Sequence, residues 1–250
     1  MRIPLLVSVL FASSLLLASC HRVAYTNRLQ GKLIPEKIMN GVGKSSYTSM
    51  LSEVRVKKKG EDNAVLNRVG RRISKVADKP DYDWTFSLIN EDVVNAWALP
   101  GGYIAFYTGI LPVLRNESGM AFVMGHEVAH ATARHGAERL QKQAAVAGTL
   151  IGLEAFMANA TSLKPEQRLP ILGALGVVSQ VGYILPFSRL HESEADVIGM
   201  MYMAEAGYPP EESRRVWDRM SAASGGGGGT PVFLSTHPSH EQRKKKLTEW

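Results

Sequence analysis

Cysteine is nearly missing from this chain: Cys20 is the only one in 250 residues. An internal disulfide is therefore impossible, and any bound metal must be held by histidines and carboxylates. No internal repeat is visible. The net charge of +6 comes without a helix-turn-helix, finger or RNA-binding pattern, so nucleic acid is not expected as a partner. That positive balance suits an anionic surface without naming one. Disorder is excluded by composition, with 45% hydrophobic and 21% charged residues. The length allows one sizeable domain or two small ones.

What is present begins with an address. The chain opens "MRIPLLVSVLFASSLLLASC". Arg2 supplies the charge of a signal peptide, and residues 3 to 17 form an apolar run that is short for a membrane span. The ending "LASC" resembles a bacterial lipobox, in which the cysteine carries lipid and anchors the protein through buried CH₂ groups. This divides the chain into a signal peptide (1–19), a tether lipidated at Cys20 (20–34) and a folded domain (35–250). His21, where an aspartate would favour the inner membrane, implies by likeness to Gram-negative lipoproteins the periplasmic face of the outer membrane. The expected location is thus the bacterial cell envelope.

Residues 35 to 79 read as helical, with Val65, Leu66, Val69, Ile73 and Val76 at helical spacing. The stretches 84–90, 93–99 and 102–109 are rich in aromatic and β-branched residues and read as strands, with "PGG" turning between the last two. Asn116 caps an expected helix from Glu117 to about Gln143. Two apolar segments follow, 144–160 and 169–187, of which the second carries no charge; buried or interfacial helices are expected there. A further helix covers 188–208, a glycine-rich loop 224–229, and a turn with a basic helix 235–247.

The helix from Glu117 carries "HEVAH". Residues four apart on a helix differ by about 40° around its axis, so His126 and His130 can share one metal ion. Zinc takes imidazole nitrogens at ~2.0–2.1 Å in tetrahedral geometry. Glu127 lies beside the first histidine, within reach of a water at such an ion, and suits a general base. His135, nine positions from His126, falls on the opposite face and reads as a surface histidine or one behind the ligands. HExxH also occurs on ordinary helices, so a third ligand has to be found. "HESEAD" (191–196) offers Glu192, with Asp196 four residues on to accept a hydrogen bond from the far nitrogen of a ligand histidine. Glu194 points away and reads as structural, and His191 as peripheral.

"HEVAH", "SRLHESEADVIG", "NAWALPGG" and "STHPSHEQR" together resemble the zinc metallopeptidases that include the CAAX prenyl protease, the HtpX heat-shock protease and the OMA-type mitochondrial and bacterial envelope proteases. The resemblance covers roughly residues 35 to 250 and is nearest the soluble, lipid-anchored bacterial branch. It implies an α+β fold: a mostly helical zincin-like (gluzincin) domain with a small sheet whose edge strand lines the active cleft. It implies one zinc ion on His126, His130 and Glu192, with Glu127 catalytic, and an endopeptidase that degrades misfolded or misassembled envelope polypeptides. The other class of function in view is a chaperone or assembly factor on the same fold, with proteolysis gated off.

By the same resemblance, Asn95, Ala96, Trp97, Ala98 and Leu99 form the edge strand on which an extended substrate pairs its backbone. His237, in "THP" after the glycine run, has three readings. It can plug the fourth position on zinc, donate to the oxyanion of the transition state, or simply make a turn. Arg243 is a second candidate for the oxyanion. The basic run 243–246 reads as a solvated helix face.

Overall fold

The computed structural model describes residues 20–180, 184–224, 232–237 and 243. The expected signal peptide (1–19), the pentaglycine run and most of the basic helix lie outside them.

The first described residues depart from expectation. Instead of a free tether, β1 (Cys20–Arg22) pairs antiparallel with β2 (Leu29–Gly31), Cys20 opposite Gly31. Tyr25 and Asn27 take positive φ in the turn. Val23 is buried in the core, and Gln30 donates to the Ala133 carbonyl. Gln30, inside the expected tether, is therefore an anchor point whose partner lies more than a hundred positions away.

Helix α1 (Glu36–Ser52) and helix α2 (Glu61–Val76) replace the single helical stretch expected over 35–79. Between them Val56 bridges to Ile89, and Gly60, at φ 98°, starts the second helix. The expected periodicity of α2 holds, since Leu66, Val69 and Ile73 are fully buried. Strands β3 (Thr85–Ile89), β4 (Ala96–Leu99) and β5 (Tyr103–Tyr107) form a sheet in the order β3-β5-β4. β5 runs parallel to β3 and antiparallel to β4. The turn at 100–102 uses Gly101 and Gly102 at φ 89° and 93°, a region that favours glycine. β4 is an edge strand of this sheet, as expected.

After the short α3 (Leu111–Leu114), α4 (Glu117–Thr132) starts where Asn116 Oδ1 accepts from the Gly119 amide at 2.8 Å. It is apolar all round and buried almost end to end, the pattern of a central helix. It does not run on to Gln143. Arg134 turns left-handed at φ 56°, and its side chain is fixed to Glu36 and to the Ile34 carbonyl. A new helix, α5 (His135–Ala160), then sets off and pairs with α6 (Pro165–Ser179) as a hairpin. Next come α7 (Leu185–Glu205), α8 (Glu212–Ser224) and α9 (Val232–Thr236).

α4 and α7 pack against each other most extensively, and glycine sets their separation. A methyl group on Gly125 would sit 2.5 Å from the Gly199 carbonyl, and one on Gly199 would sit 2.7 Å from the His126 amide. The two backbones therefore touch beside the first histidine of "HEVAH". The fold is mostly helical with small sheets, the α+β class expected.

Candidate metal centre and cleft

α4 presents His126 and His130 one turn apart, with their Nε2 atoms 3.0 Å from each other. α7 brings Glu192 up to them, each carboxylate oxygen 3.4 Å from one Nε2. The residue after α9, His237, places Nδ1 3.0 Å from Glu192 Oε2 and 3.2 Å from His126 Nε2. One donor atom from each of the four lies within 4.8 Å of the others.

The opposite ring nitrogens decide what these atoms are. His126 Nδ1 lies 3.0 Å from Asp196 Oδ1, an ion-pair distance without hydrogen-bond geometry, and the nearby carboxylate favours a proton on Nδ1. His130 Nδ1 lies 2.9 Å from His135 Nδ1, and His135 Nε2 donates to Glu194 Oε2 at 2.9 Å. With its own proton spent on Glu194, His135 accepts from His130. Both α4 histidines thus turn Nε2 toward each other across a 3.0 Å gap beside the Glu192 carboxylate. Two nitrogens this close need a cation between them, a proton when no metal is bound, and two or three imidazoles with one carboxylate are the donors zinc takes. The residues fit zinc.

The electrostatics follow the same layout. Burial pulls the His126 imidazolium down, but Asp196 and Glu192 outweigh it and hold the group up at about 9. Burial drives His130 well below its usual value. Burial alone would raise Glu192, yet the surrounding histidines keep it well down in the carboxylate range. Glu127 is 1% exposed, and burial raises its carboxyl. Its Oε1 has no hydrogen-bond partner and lies 3.5 Å from His237 Nε2.

Asp196 is gripped by Arg243, whose Nε and Nη2 donate to its two oxygens at 2.6 and 2.8 Å. Arg243 is 2% exposed, stacks over Trp217 and reaches Glu192 at 3.3 Å. It therefore stands behind the ligands, not where an oxyanion would form. The expectation of an oxyanion donor is corrected to that of a positioning residue, because its guanidinium is committed to carboxylates.

His191 and Glu194 are more than the peripheral and outward-facing residues the spacing suggested. The His191 ring stacks on His135 with centroids 4.1 Å apart and meets Glu138 at 3.2 Å. Arg28, from the first hairpin, bridges Glu138 and Glu194 at 3.0 and 2.7 Å. Helix spacing could not show this cluster, because Arg28 and Glu138 reach Glu194 and His191 from distant segments of the chain.

A cleft of about 460 Å³ opens over the site. Trp97, Ala98 and Leu99 of β4 line one wall, with Glu127, His130 and His237 on the floor and opposite side. Asn95 is buried just before the strand, so 96–99 alone supply the edge.

Residues 61–250 match the family described as peptidase family M48. The chain is 39% identical over 186 residues to mitochondrial metalloendopeptidase OMA1 of Schizosaccharomyces pombe, covering 74% of this chain and 52% of that protein. It is 35% identical over 174 residues to the protein of the same name in Saccharomyces cerevisiae, covering 67% and 47%. It is 28% identical over 179 residues to the beta-barrel assembly-enhancing protease of Escherichia coli, covering 71% and 36%. The chain thus spans about half the length or less of these relatives. The relatives named mitochondrial, with the higher identities, overturn the bacterial-envelope and outer-membrane address expected from the first twenty residues. An apolar run ending in small residues and one cysteine is too short a pattern to fix a compartment.

Proposed function

The chain belongs to peptidase family M48, and from that membership we propose a zinc-dependent endopeptidase that cuts unfolded or misassembled polypeptide at a membrane. By likeness to its higher-identity relatives, its setting is mitochondrial. The observation that carries the reading is the convergence of four donor atoms within 4.8 Å, beside a buried carboxylate with one oxygen unpartnered.

His126, His130 and Glu192 would hold one zinc per chain. When bound, the ion supplies a Lewis acid for the peptide carbonyl and acidifies water. Glu127 takes the proton of the attacking water on its unpartnered Oε1 and passes it to the leaving amine. Its raised proton affinity, a consequence of burial, brings a carboxylate nearer the range a general base needs. Asp196 and His135 fix which nitrogen of each ligand faces the ion. The edge of β4 pairs with the extended substrate and lays it across the cleft.

His237 sits where a fourth donor would stand. Its Nδ1 sits among the ligand atoms at hydrogen-bond distance, where a water or substrate carbonyl would have to enter. This favours a resting state in which the site is assembled but closed, and activity requires His237 to leave.

The test is zinc content together with casein cleavage, for the chain and its Glu127→Gln variant. One zinc in both, with cleavage by the unaltered chain alone, supports the proposal. Absence of zinc from both would defeat it. Zinc in both without cleavage sends the question to His237→Ala, in which cleavage rises if His237 is a plug. An inactive His237→Ala that still holds zinc would sink the plug.

A further inference from the structure

The hairpin of α5 and α6 leaves the body of the protein and shows its apolar side chains to the outside. Ile151 is 71% exposed, Phe156 63%, Leu169 64%, Val177 63% and Val178 65%. α6 contributes no buried residue. At about 100° per residue, its Leu169, Ile171, Leu172, Leu175, Val177 and Val178 fall on every side of the axis, with no bare arc much over 100°. A helix that docks on a protein partner keeps a polar face for water, whereas one apolar all round is surrounded by apolar material.

Charge marks the limits of this apolar length. Between residues 144 and 180 the charged groups are Glu154, Lys164, Glu166 and Arg168. Glu154 and Arg168 neutralise each other across the two helices at 3.0 Å. The remaining charges sit at the tip. The other end carries a basic collar, with exposed Arg139 and Arg189 and the partly exposed Lys142. α6, at 15 residues, rises about 22 Å, short of a ~30 Å hydrocarbon core. Among the described residues no helix is long and apolar enough to cross a membrane.

We propose that this hairpin lies within one leaflet of an anionic bilayer. Collar and tip sit at headgroup level, and the apolar length between them sinks among the acyl chains. Arg139, Lys142 and Arg189 face the lipid phosphates. The occupant is lipid rather than a second copy of the chain, because a copy would cover one side of α6 and leave the others apolar in water. Lying side-on, the hairpin holds the base of the cleft close to the bilayer surface, since Arg139 of the collar also lines the cleft.

The experiment places an environment-sensitive fluorophore on the full chain, in a Cys20→Ser background, at Phe156→Cys, Val178→Cys or the control Ser52→Cys. Vesicles are phosphatidylcholine, alone or with a minority of phosphatidylglycerol. We expect a blue shift with severalfold brighter emission at 156 and 178, stronger on the anionic vesicles, and none at 52. Arg139→Glu and Arg189→Glu each weaken the anionic binding roughly fivefold. Three results would overturn the proposal: no shift at the hairpin, an equal shift at 52, or a shift that follows protein concentration without vesicles. The last would assign the face to a second copy. The response is the same in Glu127→Gln, so this test stands or falls apart from the proteolytic reading.

Discussion

Each histidine of the proposed metal set on α4 has a partner at both ends of its ring. His126 Nδ1 faces the Asp196 carboxylate at 3.0 Å, and His130 Nδ1 bonds to a neutral histidine, His135, that is itself tied to Glu194. A partner of this kind fixes tautomer and orientation, and its loss costs about 10–100-fold in metal affinity. His135→Ala is therefore expected to lower zinc affinity by about tenfold or more, measured by competition with a chromophoric chelator. His135→Gln, whose amide oxygen can still accept from His130, should recover part of the loss. Equal affinity in both variants would mean that the ring only fills space. The spacing of HExxH and of Glu192 with Asp196 was legible because each pair lies within one unbroken helix. For His135 the sequence allowed a place behind the ligands but not its contact with His130, which depends on Arg134 adopting a left-handed conformation that no spacing rule announces.

Among the elements, the α4–α7 crossing carries the site. The ligands sit on both helices, and Gly125 and Gly199 let the backbones touch between them. Gly199→Ala drives a methyl group into the His126 amide. It is expected to cost about 1–3 kcal/mol, read from urea unfolding, and to lower retained zinc as Glu192 moves off. Gly41→Ala is the contrasting case. It lies inside α1 with open space around it, so the same substitution should gain up to about 1 kcal/mol. The three central strands and the face of α2 could be read from β-branched content and helical periodicity. The gap between α1 and α2 and the first hairpin could not. Both are set by long-range pairings, Val56 with Ile89 and Arg28 with Glu138 and Glu194, which leave no local pattern.

At the scale of the whole molecule, the Arg28 cluster ties the first hairpin to α5 and α7 through groups that acid disrupts. Burial would raise Glu138 and Glu194, but hydrogen bonds from His191 and His135 and the nearby Arg28 hold both at about 2. Burial pushes His135 down to about 4. In every case the unfolded chain binds the proton more readily. The stability from His135 is full above about 6.5 and lost toward 4, and that from the glutamates is full above about 4.5 and lost toward 2. Thermal melts should therefore fall in two stages on acidification. Glu138→Gln should melt lower than the unaltered chain at neutral pH, yet lose less on the second stage. Parallel curves for the two would refute the assignment.

The free edge of β4 has a consequence for which peptides survive. On the proposed docking, a guest strand there would be recognised by its amides, and alternate residues along it would turn their N–H toward β4. Proline has no N–H to give. If the proposed docking holds, cut sites in an unfolded protein should accordingly lack proline at every second position around the cut and tolerate it between.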